Sequence, residues 1–231
     1  MVYSRRAEAA SRQQLPTDQN GGQRDSCYLH IDGVIEGLRK LYPQEKNLEL
    51  VHRLDRDTSG CLIIAKKRKA LKSLHEQLRN NEIRKIYVAV LKGKWEGGKQ
   101  TIDAPLLKNT LKSGERIVRV DNNGKAAQSI FKPVKLFSDS TMVEIELITG
   151  RTHQIRVHAA HVGHPVAGDE KYGQRSFNLT MKERGLNRLF LHAKSLSFTL
   201  PGSKGDADKQ VNVVAPLGEE LEQVLKTCEQ V

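Results

Sequence analysis

The run Cys61-Leu62-Ile63-Ile64-Ala65 reads as a strand buried in the core of its domain, and the ten residues before it are of the opposite character. Val51-His52-Arg53-Leu54-Asp55-Arg56-Asp57-Thr58-Ser59-Gly60 holds a histidine, two arginines, two aspartates, two hydroxyl side chains and a glycine able to take positive φ. A charged loop opening onto a core strand is the composition of a site. Asp55, between two guanidinium-bearing residues, is a candidate nucleophile or base on a surface that attracts anions. The plainer alternative is a solvated ion-pair cluster.

The chain of 231 residues is long enough to bury a sizeable core, and one large domain is expected. Its formal net charge of +11 favours a polyanionic partner, nucleic acid or an anionic membrane surface. No window approaches the roughly 18 consecutive apolar residues of a membrane span. No amphipathic helix pairs a basic face with large apolar residues, so nucleic acid is preferred. Cys27, Cys61 and Cys228 are odd in number and widely spaced, which suggests neither a disulfide framework nor a zinc ribbon and fits a reducing cytoplasm. Arg5 and Arg6 are not followed by the apolar stretch of a secretory signal.

Residues 1–30 are rich in Gln, Arg, Ser, Asp and Gly and show no apolar periodicity, so a disordered or atypical lead-in is expected there, with one catalytic-sized domain over 31–231. Val34, Ile35, Leu38 and Leu41 have helical spacing up to Pro43. Leu71, Leu74, His75 and Leu78 predict an amphipathic helix from about Arg68 to Asn80. Ile83 to Leu91 predicts a strand containing Tyr87. Residues 94–126 read as loop-rich around a basic strand, Arg116 to Val120, with Asn123-Gly124 as a hairpin turn. Strands are expected over about 127–137, 141–148, 188–198 and 211–214, a loop over 164–187, and a closing helix through Leu217, Leu221, Val224 and Leu225.

Thr149-Gly150-Arg151-Thr152-His153-Gln154-Ile155-Arg156-Val157-His158 forms a second polar block. A strand, a glycine and polar residues ahead of a helix, expected over about 152–162, would present backbone N–H groups to phosphate. His153, His158, His161 and His164 invite a metal reading, but without a supporting Cys or a His-Glu-x-x-His pattern no metal is expected. The planar fork of an arginine suits a carboxylate, so Arg156 is expected to orient Asp55; the plainer alternative is that Arg156 and Arg151 both bind only phosphate.

His52-Arg53-Leu54-Asp55 with Asp57-Thr58-Ser59-Gly60, Lys85-Ile86-Tyr87, and Gly150-Arg151-Thr152-His153-Gln154-Ile155-Arg156 together resemble the motifs of pseudouridine synthases of the ribosomal large-subunit family. Ser113-Gly114-Glu115-Arg116 is similar to an insertion of that family's C subgroup, and Gly168-Asp169-Glu170-Lys171-Tyr172-Gly173 is also similar to the family. The resemblance implies an α+β fold with a mixed, mainly antiparallel sheet, flanking helices and a central cleft. It implies isomerisation of uridine to pseudouridine in large-subunit ribosomal RNA, with no cofactor. On it, Asp55 is the catalytic aspartate, Tyr87 the ring facing the base and Arg156, with Arg151 as the alternative, the active-site arginine. Arg53, Arg56, Lys66, Lys67, Arg151 and His153 would contact RNA, and Leu191 would pack against the base. A cytoplasmic monomer is expected. Relatives carry an earlier strand with an Asn-Lys-Pro turn and often an RNA-binding module of S4 type, neither of which is recognisable here. The competing readings are a non-catalytic RNA-binding module and a metal-dependent nuclease using the His-rich helix.

Overall fold

The computed structural model describes residues 2–5, 34–110, 116–202 and 207–230. Most of the 1–30 lead-in and the Ser113-Gly114-Glu115 part of the insertion motif lie outside the described residues. The first half of the chain runs β1 (Val2–Arg5), α1 (Val34–Leu41), β2 (Glu49–Leu50), β3 (Ser59–Ala65), α2 (Arg68–Arg79), β4 (Arg84–Lys92), β5 (Gln100–Asp103), β6 (Leu106–Thr110) and β7 (Arg116–Val120). The second half adds β8 (Gln128–Leu136), β9 (Ser140–Leu147), α3 (Gln154–His161), α4 (Arg175–Glu183), β10 (Leu191–Leu200), β11 (Lys209–Val214) and α5 (Glu219–Glu229).

Nine strands form one sheet in the order β1-β3-β10-β4-β9-β8-β5, with β2 on β3 and β11 on β10, while β6 and β7 pair apart from it. The fold is α+β and the sheet mixed but mainly antiparallel, since only β3 and β10 run parallel among the described strands. Strand β3 is buried at all seven positions because helices cover both its faces. Cys61, Ile63 and Ala65 pack with Leu71, Leu74 and Leu78 of α2, and Leu62 and Ile64 pack with Leu38, Val34 and Ile35 of α1. Alternation on β4 divides the molecule in the same way. Tyr87, Ala89 and Leu91 meet Ile155 and Ala159 of α3, whereas Val90 joins the cluster under α4 and α5.

Four local expectations need correction. The lead-in is not wholly without regular structure, because Val2–Arg5 pairs antiparallel with Gly60 to Ile63. Helix α4 occupies part of the stretch expected to be loop, and it buries only Phe177 and Met181, an i, i+4 pair too sparse to stand out as a periodic stripe. Strands β5 and β6 lie in the supposedly loop-rich region. The Asn123-Gly124 turn exists, with the Gly124 N–H donating to the Asp121 carbonyl, but its return arm makes a single bridge to Leu106 instead of a second hairpin strand.

Gly60 is where the charged loop is fastened to the sheet. Its φ is +107°, and a Cβ there would stand 2.2 Å from the Ala193 carbonyl oxygen of β10. Neither partner can yield, since both are backbone. Gly60→Ala is expected to cost at least about 3 kcal/mol through combined dihedral strain and strand separation. The urea midpoint of unfolding measures this, and an unchanged midpoint would contradict the close approach of β3 and β10.

Candidate active site

A cleft of about 560 Å³ opens beside β4, between the loop ahead of β3 and the turn ahead of α3. Asp55, Tyr87, Arg156, Arg53, Arg151, His153 and Leu191 all line it, although they come from four separated segments. Arg56 and Lys67 are exposed and outside the lining, and Lys66 is ion-paired with Glu45, also outside it. The rim contacts expected of those three are therefore not part of this cavity.

The Asp55 loop is held by short-range and long-range bonds. Thr58 N–H donates to the Asp55 carbonyl at 3.0 Å, and Arg188 Nη2 donates to the Asp57 carbonyl at 3.0 Å. His52 Nε2 accepts from the Ile63 N–H at 3.2 Å, which ties the loop to β3. Burial drives His52 down to about 4; a backbone bond at Arg53 opposes this and nearby Lys85 adds to it, so the ring is neutral.

Arg156 is the centre of the opposite wall. Its fork does not close on Asp55, as the sequence led us to expect. Nε and Nη2 instead each donate at 2.7 Å to the two oxygens of Asp169, and only Nη1 is turned towards Asp55 Oδ2, at 3.9 Å. That distance allows attraction but is too long for a hydrogen bond. Asp169 also accepts from the N–H groups of Lys171 and Tyr172, both at 2.9 Å. Burial alone would raise the Asp169 carboxyl, but Arg156 and the two backbone donors outweigh it and hold it below the usual range. The Tyr172 ring lies 5.1 Å from the guanidinium carbon and completes the clamp. The consequence is an arginine fixed by other partners, with one N–H face left for Asp55 and whatever binds there.

His153 is not the second residue of α3, as the expected helix boundary had it, but its N-cap, in the left-handed region at φ +53°. Tyr172 Oη accepts from the Val118 N–H at 3.0 Å and shares a hydrogen bond of 2.8 Å with His153 Nδ1. Burial holds His153 below its ordinary value, with Arg156 and Lys171 acting the same way and Asp55 opposing. A neutral ring at neutral pH follows. Gln154 fixes the turn: its Oε1 accepts from Thr149 Oγ1 and the Arg151 N–H, and its Nε2 donates to the Gln128 carbonyl and Ser129 Oγ. All four of its hydrogen-bonding positions are used.

Three of the four histidines of this block are individually committed. His158 is bonded to Ser129 Oγ and the Ala104 carbonyl, His164 to the Lys92 carbonyl, and His153 to Tyr172. Tyr87 is 7% exposed, and burial, with smaller contributions from Asp55 and Cys61, raises its hydroxyl above the usual phenol value, so it stays protonated. Asp169, Tyr172, Gln154 and Lys85 belong to this site without having been singled out as functional. The Gly168-Asp169-…-Tyr172-Gly173 block marked two of them, and Lys85-Ile86-Tyr87 contained the fourth.

The mainly antiparallel α+β fold is shared with solved structures that carry RNA pseudouridylate synthase domains by name. Human RNA pseudouridylate synthase domain containing 1 superposes with a TM-score of 0.64 at 28% identity, covering 78% of this chain and 71% of its own. Human RNA pseudouridylate synthase domain containing 4 gives 0.65 at 25% identity, over 84% and 82%. The family model for RNA pseudouridylate synthase matches residues 35–161, and the chain belongs to that family. Ribosomal large subunit pseudouridine synthase C of Salmonella typhi is 53% identical over 196 residues, and the protein of that name from Escherichia coli K12 is 52% identical over the same length. Each alignment covers 84% of this chain and 60% of the relative, so the chain spans about 60% of the length of the curated relatives it matches.

Proposed function

We propose that this chain isomerises uridines of large-subunit ribosomal RNA to pseudouridine, with Asp55 as the catalytic aspartate, Arg156 as its electrostatic partner and Tyr87 as the ring facing the base. The observation that carries this reading is the convergence of those three residues, 101 positions apart at the extremes by their numbering, on one cleft of about 560 Å³. Family membership and the names of the two bacterial relatives support the reaction and the substrate class.

The reaction breaks the N1–C1′ bond, turns the base within the cleft and joins C5 to C1′. Asp55 starts it, by attack on ribose or base or by taking the 2′ proton. The uridine must first leave its stack, at a cost of a few kcal/mol. Tyr87 supplies a replacement face, and Leu191, buried on β10 and also lining the cleft, an aliphatic one. Arg53, Arg151 and His153, which line the cleft, meet the RNA backbone at its opening. The chain's net charge of +11 draws the polyanion in. No helix among the described residues is long and apolar enough to cross a membrane. Action as a monomer in the cytoplasm, where ribosomal RNA is made and matured in bacteria, completes the reading.

Chemical mapping of pseudouridine in large-subunit RNA, from cells lacking the gene and from the same cells complemented, tests the function. Loss of specific pseudouridines and their return with the wild-type chain is expected; an unchanged map would refute it. Binding should also be strongly salt-dependent. Four phosphate contacts would weaken the affinity roughly 50-fold between 50 and 200 mM salt. A flat response in filter binding would rule out phosphate-led docking.

A further inference from the structure

One of the cations lining the cleft is both buried and without a countercharge among the described residues. Lys85, at the start of β4, is 6% exposed, yet its ammonium has no hydrogen-bond or ion-pair partner among the described residues. A charge in that position is costly, because burial strips most of its water and no carboxylate among the described residues is paired with it. The side chain nevertheless reaches the cavity. Lys85 shares a strand face with Tyr87, two residues on, and both line the cleft. A Cβ on Gly150, another lining residue, would stand 4.0 Å from Lys85 Nζ. His52 is kept neutral and offers no compensating charge. Asp55, the one carboxylate among the described lining residues, faces Arg156.

An unpaired buried cation beside the ring that receives the base points to a ligand that is negative there for part of the reaction. We infer that Lys85 is a further catalytic residue of this cleft, donating to a carbonyl oxygen of the uracil and stabilising the charge on the base while it is detached from ribose. The inference rests on the pseudouridine-forming reading above. When N1–C1′ breaks, the electron pair stays with N1 and spreads onto the ring carbonyl oxygens. The base then bonds to C1′ through C5, C5 loses its proton and N1 gains one, so the sum is an isomerisation with no co-reactant. The negative charge exists only between the two bonds, and an ammonium aimed at it lowers the barrier without tightening substrate binding. Depth favours the base over a phosphate. The phosphodiesters of an RNA running past the opening stay near exposed Arg53 and Arg151, while the extruded base enters the cavity. Burial also lowers the Lys85 pKa, and an anion docking beside it acts in the opposite direction, favouring the ammonium form.

Lys85→Met separates this from every other role. Single-turnover pseudouridine formation should fall about 100-fold, as for loss of one preorganised donor, while RNA affinity and its salt dependence stay within about two-fold. The thermal midpoint should rise, because an uncompensated ammonium has been replaced by an apolar chain of similar length. A weaker affinity with a salt slope smaller by about one and an unchanged rate would mean a phosphate contact and overturn the inference. Unchanged rate and affinity would overturn it too, as would a lowered midpoint with the rate regained in Lys85→Gln, which is neutral but polar. The wild-type chain, run in parallel, keeps the two readings apart: if it forms no pseudouridine, the proposed function fails, whereas an active wild type with a fully active Lys85→Met removes only the role of Lys85.

Discussion

Asp55→Asn is expected to abolish pseudouridine formation, by at least about 10³-fold in rate or roughly 4 kcal/mol of barrier, while the folded protein and its RNA affinity persist. The reasoning is structural. The Asp55 carboxylate makes no hydrogen bond to Arg156, only the 3.9 Å approach of Nη1, so the isosteric amide removes little that holds the fold. Arg156 keeps a full countercharge in Asp169. The cations of the opening are untouched, and affinity should stay within about two-fold because phosphate contacts supply most of it. What disappears is the group that can act as nucleophile or base, since a neutral amide does neither. Pseudouridine mapping on transcript RNA, alongside filter binding and a melting curve on the same sample, checks all three parts. Full turnover in Asp55→Asn would end the assignment of Asp55, and a collapsed melting curve would show that it serves the fold.

How far the sequence reveals this site depends on the range over which each signal acts. Strand β3 and helix α2 are legible because their apolar periodicity records local geometry, and they fall at Ser59–Ala65 and Arg68–Arg79, close to where the pattern puts them. Tyr87 is legible as a strand residue, and its approach to Asp55 only through resemblance, since nothing local links positions 32 apart. The partner of Arg156 is the clearest failure. Charge and shape matching suggested Asp55, and both carboxylates fit a guanidinium equally well; the choice is made by tertiary placement, which puts Asp169 on the fork and Asp55 at its side. His153 looked helical because its neighbours are, while its φ of +53° and its bond to Tyr172 come from the turn that Gln154 fastens. Lys85 stood in the sequence only as the lysine ahead of Tyr87 in Lys85-Ile86-Tyr87. Its isolation is a property of the cavity, invisible in a list of residues.

Asp169→Asn makes the same chemical change as Asp55→Asn and should have nearly the opposite signature. Its side chain is fully buried and carries two 2.7 Å bonds from Arg156, so the variant leaves a guanidinium facing an amide that can accept only one of them. Breaking one side of a buried pair costs about 3–5 kcal/mol. The urea midpoint should drop accordingly. The cost should also depend on pH. The Asp169 carboxyl lies below its ordinary range when folded, so its contribution is complete above the unfolded value near 4 and is lost as the pH falls through the depressed folded value. The stability gap between wild type and variant should therefore be constant near neutrality and close only below about pH 4. Released from Asp169, the Arg156 fork can swing towards Asp55 and engage it in the two-bond geometry that the clamp otherwise prevents, which ties up the catalytic carboxylate. Turnover at a temperature where the variant is fully folded should fall at least about ten-fold, the factor that 1.4 kcal/mol represents. Adding Asp55→Asn to Asp169→Asn then removes the last countercharge, and the combined stability loss should exceed the sum of the single losses. Additive losses would mean that Arg156 does not feel Asp55 across 3.9 Å, and with that the electrostatic coupling proposed for the two walls of the cleft would fail.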